Sequence, residues 1–249
     1  MNIKDILNFL NDIAPIESAC DFDNVGLLVG DINNTVSSCV ISLDCTQKTV
    51  DAAIENGAQL IITHHPVIFN PLKKVLKNDI VYRLIENGIS VISMHTNLDI
   101  AENGVNTVLA KTLALINVVS VSDESGFSIK IGELNNTLSA DDFANYVKAK
   151  LNSPLKYSGE NNVKRVAVCS GSGADFLFLA KENCADALVT SECKHHLFNQ
   201  AVEKDMVLVD AGHFNTEDII IEPLCEMLKK EFPCINFKTE HFSYVKNCF

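Results

Sequence analysis

Four of the seven histidines in this 249-residue chain follow closely on apolar runs. Leu60-Ile61-Ile62 ends in Thr63-His64-His65-Pro66. Ile89 to Met94 ends in His95-Thr96-Asn97-Leu98-Asp99, and Met206 to Asp210 is followed by His213-Phe214-Asn215-Thr216-Glu217. Runs of this composition read as buried strands, and Pro66, which cannot donate to a ladder, stops the first of them. In open α/β sheets the carboxyl ends of strands line the ligand crevice, so three such ends can bring imidazole and carboxylate together. His213 and Glu217 are four positions apart at a helix start, where they share a face and the helix N-terminus favours the carboxylate. The candidate metal ligands are therefore His64, His65, Asp99, His213 and Glu217. Five side chains exceed what one open catalytic ion needs and suit two, with Glu217 as the natural bridge. Such a site keeps positions open for water. Imidazole and carboxylate ligation without thiolate suits Zn²⁺, Mn²⁺ or Fe²⁺ over Mg²⁺.

Neighbouring residues carry two readings each. Asp44 either orients a ligand histidine and handles a proton, or caps the helix that follows it. His95 is either a sixth ligand or, the reading favoured here, an acid/base group beside the ligands. Glu192, His195 and His196 either face the cleft or lie on the surface. Ser170-Gly171-Ser172-Gly173 is either a phosphate cradle or a plain tight turn; it lacks a P-loop lysine and a full G-x-G-x-x-G. Lys73 and Lys194 are candidates for meeting substrate phosphates.

The elements that must position these residues alternate. Helical spacing covers Ile3 to Ile13, about Gln47 to Asn56, Asp79 to Asn87 and Gly104 to Leu115. Strands are expected at Leu27–Val29, Cys39–Leu43, Gln59–Thr63 and Ile89–Met94. The stretch from Ser120 to Val163 reads as polar, with one amphipathic helix, Asp141 to Leu151, started by Ser139. From Val166 the first pattern returns. Ala180 to Thr190 follows Ala53 to Thr63 at a constant offset of 127 positions, and His213-x-Asn-x-Glu follows His95-x-Asn-x-Asp at 118. The difference corresponds to the Pro71–Asn78 loop, which the second half lacks. The expected fold class is α/β, with two similar units produced by internal duplication and a dinuclear metal site in the cleft between them. The units are expected at 1–123 and 124–249, with the C-terminal segment packing on the first.

Composition narrows the function classes. A net charge of −12 without a long basic run argues against electrostatic binding of nucleic acid. A hydrophobic fraction of 47% supplies a core, yet no apolar run reaches the ~18–20 residues of a membrane helix. The first residues lack the pattern of a signal peptide, so a cytoplasmic protein is expected. Nine cysteines occur without a C-x-x-C. That argues against a disulfide framework or a cysteine-rich zinc site, and no cysteine nucleophile is expected.

These motifs together resemble the NIF-three-like family, whose bacterial members are often called GTP cyclohydrolase 1 type 2 homologues. The resemblance rests on Asp23-Asn24-Val25-Gly26-Leu27, Thr63-His64-His65-Pro66, His95 to Asp99 and Gly104-Val105-Asn106. It continues through Ser170 to Gly173, Thr190 to His196 and Gly212 to Glu217, nearly end to end. It implies a dinuclear site on His64, His65, Asp99, His213 and Glu217, two interlinked α/β domains and a ring-shaped homohexamer of the short form, without an inserted domain. Phe22 stands where many members have tryptophan, and Ser191-Glu192 where Gly-Glu is usual. The tail Val245 to Phe249 lacks a proline often found there. The family name implies hydrolytic opening of the GTP imidazole ring with release of formate, which the motifs do not themselves dictate. The function expected is thus a dinuclear metal-dependent hydrolase with a purine nucleotide as substrate, His95 and Asp44 moving protons. The alternative is a non-catalytic metal-binding or regulatory assembly protein.

Overall fold

The fold is taken from a computed structural model that describes residues 1–246. The chain divides into two compact units, Met1–Glu102 with Ile220–Lys246, and Asn103–Ile219. The expected boundary near residue 123 lies in the turn of a β-hairpin, where the two flanking strands pair with each other. The chain therefore changes unit earlier, after Glu102, and returns at Ile220.

The first unit begins with α1 (Ile3–Ile13), β1 (Gly26–Val29), β2 (Ser38–Ser42), α2 (Gln47–Glu55), β3 (Leu60–Thr63), α3 (Ile80–Glu86), β4 (Ser90–Ser93) and α4 (Thr96–Ile100). Asn2 and Asp5 cap α1 reciprocally, each side chain taking the other's backbone N–H at 3.0 Å. Thr46 and Thr49 do the same for α2, and Gly57, at φ +58°, ends it. The second unit holds α5 (Val105–Thr112), β5 (Ile116–Ser122), β6 (Ser128–Leu138), α6 (Ala140–Leu151), β7 (Lys156–Ser158), β8 (Val163–Val168), α7 (Leu177–Glu182), β9 (Ala187–Thr190), α8 (His195–Glu203), β10 (Val207–Asp210) and α9 (His213–Glu217). The chain then rejoins the first unit with α10 (Ile221–Glu231) and β11 (Asn236–Glu240).

The first sheet runs β1-β4-β3-β2-β11, and the second β5-β6-β8-β9-β10-β7. Within each, three adjacent strands are parallel: β2, β3 and β4, then β8, β9 and β10. An antiparallel edge strand lies beside the last of each trio, β1 on β4 and β7 on β10. Helices cover these parallel strands, so they read as unbroken apolar runs. Val166 and Val168 of β8 meet Phe143 and Val147 of α6 and Leu109 of α5. Ala167 between them faces the other way, among Leu177 of α7 and Leu197 and Ala201 of α8. That alternation places helices on both sheet faces. In the first unit, Val50, Ala53 and Leu84 of α2 and α3 pack on Val40, Ile61 and Val91. Each fully buried Val, Ile or Leu among them contributes about 1.5–3 kcal/mol.

Register then aligns the strand ends. Ser42 pairs with Thr63 and Thr63 with Ser93. Asp44, the His64-His65 pair and His95 leave the sheet from one carboxyl edge as a result. In the second unit Asp210 pairs with Thr190 and Val168 with Val189. The Ser170–Gly173 turn, Ser191-Glu192 and His213 share that sheet's carboxyl edge.

The polar reading of 120–163 needs correction. That region carries part of β5, all of the eleven-residue β6, and β7. Lys130, Gly132 and Glu133 break the apolar pattern of β6. Lys130 is nonetheless buried, its Nζ donating to Ser120 Oγ at 2.7 Å. Gly132 is needed because a Cβ there would lie 2.9 Å from the Leu115 Cβ.

Candidate metal centre

In the first unit, each of three imidazoles is held through its Nδ1. His64 Nδ1 lies 2.8 Å from the Met94 carbonyl. His65 Nδ1 lies 2.7 Å from Asp44 Oδ1, and His95 Nδ1 2.9 Å from Asp23 Oδ1. A carbonyl can only accept, so His64 donates from Nδ1 and its lone pair sits on Nε2. The carboxylates impose the same tautomer on the other two rings, an arrangement typical of metal-ligating histidine. One ring nitrogen from each of His64, His65 and His95 lies within 4.8 Å of the others. The ring centroids are 5.1–5.6 Å apart.

Asp99, on α4, is buried, and its Oδ1 lies 3.5 Å from His64 Nε2. Two lone-pair-bearing atoms turned toward each other in a buried place fit a cation. Asn97 fixes this turn by accepting from the His95 N–H at 3.0 Å and donating to the Ala14 carbonyl at 2.8 Å. Asp23 accepts from the Thr96 N–H at 3.0 Å and the Thr96 hydroxyl at 2.6 Å as well as from His95. Burial works to raise the Asp23 pKa, but the bonds from His95 and Thr96 outweigh it and hold the carboxyl well below the usual carboxylate range. Asp44 spends its side chain on His65, while Thr46 is the N-cap of α2.

In the second unit, Gly212, at φ +80°, turns the chain off β10 and into α9. His213 lies between two carboxylates, Nδ1 at 2.8 Å from Glu192 Oε1 and Nε2 at 2.8 Å from Glu217 Oε2. Glu217 is buried. Gly171, at φ +59°, makes room for it: a Cβ there would sit 2.0 Å from Glu217 Oε1 and 3.4 Å from His213 Nε2. Three amides of the Ser170–Gly173 turn are spent on neighbouring protein groups. Ser170 N donates to Asn106 Oδ1, Gly171 N to Thr216 Oγ1 and Gly173 N to Thr190 Oγ1, at 2.7, 3.1 and 3.0 Å. The turn packs against Glu217 at Gly171.

Of the other candidates, Glu192 orients His213, whereas His195 and His196 stand exposed on the first turn of α8. Lys73 and Lys194 are exposed, and the departure from the family pattern at the tail falls partly on 247–249, outside the described residues. Residue reasoning assigned no role to Asp23, Thr96, Asn97 or Asn106. The Asp23-Asn24-Val25-Gly26 turn was the available signal for the first of them. Among the described cysteines, burial pushes the Cys45 and Cys193 thiols up to about 12, which keeps them protonated.

The family model for Duf34/NIF3 (NGG1p interacting factor 3) matches residues 1–247. The chain belongs to the DUF34/NIF3 family. It is 33% identical over 242 residues to the GTP cyclohydrolase 1 type 2 homolog of Clostridium perfringens, covering 92% of each chain. The protein of the same name from Campylobacter jejuni is 34% identical over 236 residues, again with 92% of each covered. A hypothetical protein of Staphylococcus aureus has a crystal structure that superposes with a TM-score of 0.91 at 29% identity, covering 98% of this chain and 99% of that one. Reduced HcgD from Methanocaldococcus jannaschii superposes with a TM-score of 0.83 at 28% identity, covering 97% and 98%. The two-unit α/β architecture is therefore that of the DUF34/NIF3 proteins. The chain offers histidine and carboxylate groups able to hold metal, and among the described residues no helix is long and apolar enough to cross a membrane.

Proposed function

We propose that this DUF34/NIF3 protein is a metal-dependent hydrolase whose His64, His65, Asp99, His213 and Glu217 hold two divalent ions of the Zn, Mn or Fe type. The observation that carries the reading is the set of imidazoles whose Nδ1 atoms are held by a carbonyl or a carboxylate, beside buried carboxylates. Bound ions of this kind polarise substrate oxygens and lower the pKa of water towards ~7. His64 and His65 present Nε2 to the site because Met94 and Asp44 hold their other nitrogens. His95, oriented by the ionised Asp23, accepts a proton from the attacking water and returns it to the leaving nitrogen. Asp44 adjusts the basicity of His65.

The relatives' name supports a purine nucleotide as substrate, with one water adding at C8 to open the imidazole ring to a formamide and a second water hydrolysing that formamide to release formate. We place the protein in the cytoplasm as a homohexamer. Metal-loaded protein incubated with GTP is expected to release formate, and Glu217→Gln to abolish that release. Absence of turnover across purine nucleotides, with metal fully bound and the assembly intact, would move the reading to a non-catalytic metal-binding or regulatory assembly protein.

A further inference from the structure

We propose that Phe22 and Phe69 form a stacking platform for the flat heteroaromatic ring of the substrate. This rests on the hydrolase reading above and names the residues that select its substrate. Both rings are exposed, Phe22 at 68% and Phe69 at 45%, and they stand together beside His95. They lie 6.4 Å apart at 52°, so neither ring's faces are spent on the other. Phe69 in turn meets His95 edge-on at 6.3 Å. A ring resting on this pair would lie beside the histidine group.

The pair is built into the site's own framework. One turn, Phe22-Asp23-Asn24, does three things. It carries the first aromatic ring, its Asp23 holds His95, and its Asn24 Nδ2 donates to the Ile68 carbonyl at 2.5 Å, fixing the residue before Phe69. The ring platform and the proton-transfer histidine are thus tied to the same three residues. The segment after Phe69 adds exposed Lys73, Lys74 and Lys77, three cations within eight positions of Phe69 in an otherwise acidic chain. Aromatic faces with nearby cations are the usual means of holding a base and its phosphates.

The chain contains no tryptophan, so Phe22→Trp creates a single fluorescent reporter at the platform. Metal-loaded full-length F22W should show saturable quenching by GTP and little by inorganic triphosphate. Adding Phe69→Ala should weaken the GTP titration by at least about fivefold, the loss expected for one stacking ring. Quenching that triphosphate reproduces, or that Phe69→Ala leaves unchanged, overturns the proposal. So does dissociation of the oligomer in the F22A/F69A double variant with nucleotide affinity intact, which would make the pair an interface between copies. The two readings fail separately. GTP quenching without formate release keeps the platform and removes the hydrolase. Formate release with an unchanged KM in F22A/F69A keeps the hydrolase and removes the platform.

Discussion

The two units share a scaffold and differ in what they hang on it. The elements α1-β1-β2-α2-β3-α3-β4-α4 are matched in order by α6-β7-β8-α7-β9-α8-β10-α9. The strand orders β1-β4-β3-β2 and β7-β10-β9-β8 correspond in both sequence and sense. Even the helix stops agree: Gly57 ends α2 at φ +58°, and Cys184 follows α7 at φ +60°. The strand ends diverge. After β3 the first unit has two imidazoles, and after β9 the second has Ser191-Glu192, which orients His213 instead. The fifth strands diverge too, β11 joining β2 in parallel and β6 joining β8 antiparallel. The two units thus keep equivalent strand ends and differ in the residues placed there.

The comparison breaks most severely at Gly171. Gly171→Ala must displace Glu217, because its new Cβ would fall 2.0 Å from the carboxylate. Metal affinity should fall more than the roughly 10–100-fold typical of a lost orienting group, read by chelator competition. Gly57→Ala, whose Cβ meets nothing within 4 Å, should cost about 1 kcal/mol of stability through its left-handed backbone and leave metal binding intact. The histidine-orienting carboxylates sharpen the comparison next. Asp44→Asn and Glu192→Gln should each lower metal affinity by roughly 10–100-fold, one in each unit. An effect confined to one of them would show that a single unit carries the binding.

A third test uses pH. The folded-state pKa of Asp23 is depressed, so its contribution is complete above the unfolded carboxylate value of about 3.9 and is lost as pH falls through both. Asp23→Asn in metal-free protein should therefore cost about 2 kcal/mol near neutrality, the scale of hydrogen bonds to a charged group. The gap from wild type should narrow as urea unfolding is repeated from about pH 5 to pH 3. The smallest effect is expected at Cys184, a non-glycine residue in left-handed backbone. Cys184→Gly should raise thermal stability by about 0.5–1 kcal/mol and bring the second unit's helix stop into line with the first.

Local signals made much of this scaffold legible. The run Ala187–Thr190, the Ser139 cap of α6 and the apolar spacing of α1 each reflect physics confined to a few neighbouring residues. The duplication was legible for the same reason, since Ala53–Thr63 and Ala180–Thr190 solve the same local problem. What escaped depends on distant partners. β6 hides behind Lys130 and Gly132, whose polar or missing side chains make sense only against Ser120 and Leu115. β11 pairs with a strand nearly two hundred positions earlier. The ligand-type residues were visible as residue types at strand ends, and Asp44 as one candidate orienting partner, but the more distant partners were not. Asp23 reaches His95 across 72 positions, and Asn106 reaches Ser170 across 64. No spacing rule connects such pairs.

The central proposal is that His64, His65, Asp99, His213 and Glu217 hold two ions. Elemental analysis of purified wild-type protein beside His64→Ala and Glu217→Gln tests it most directly. About two equivalents of a transition metal per chain in the wild type, with a clear loss in each variant, is the expected result. Less than one equivalent in the wild type, unchanged in both variants, would contradict it and leave these histidines and carboxylates as structural residues.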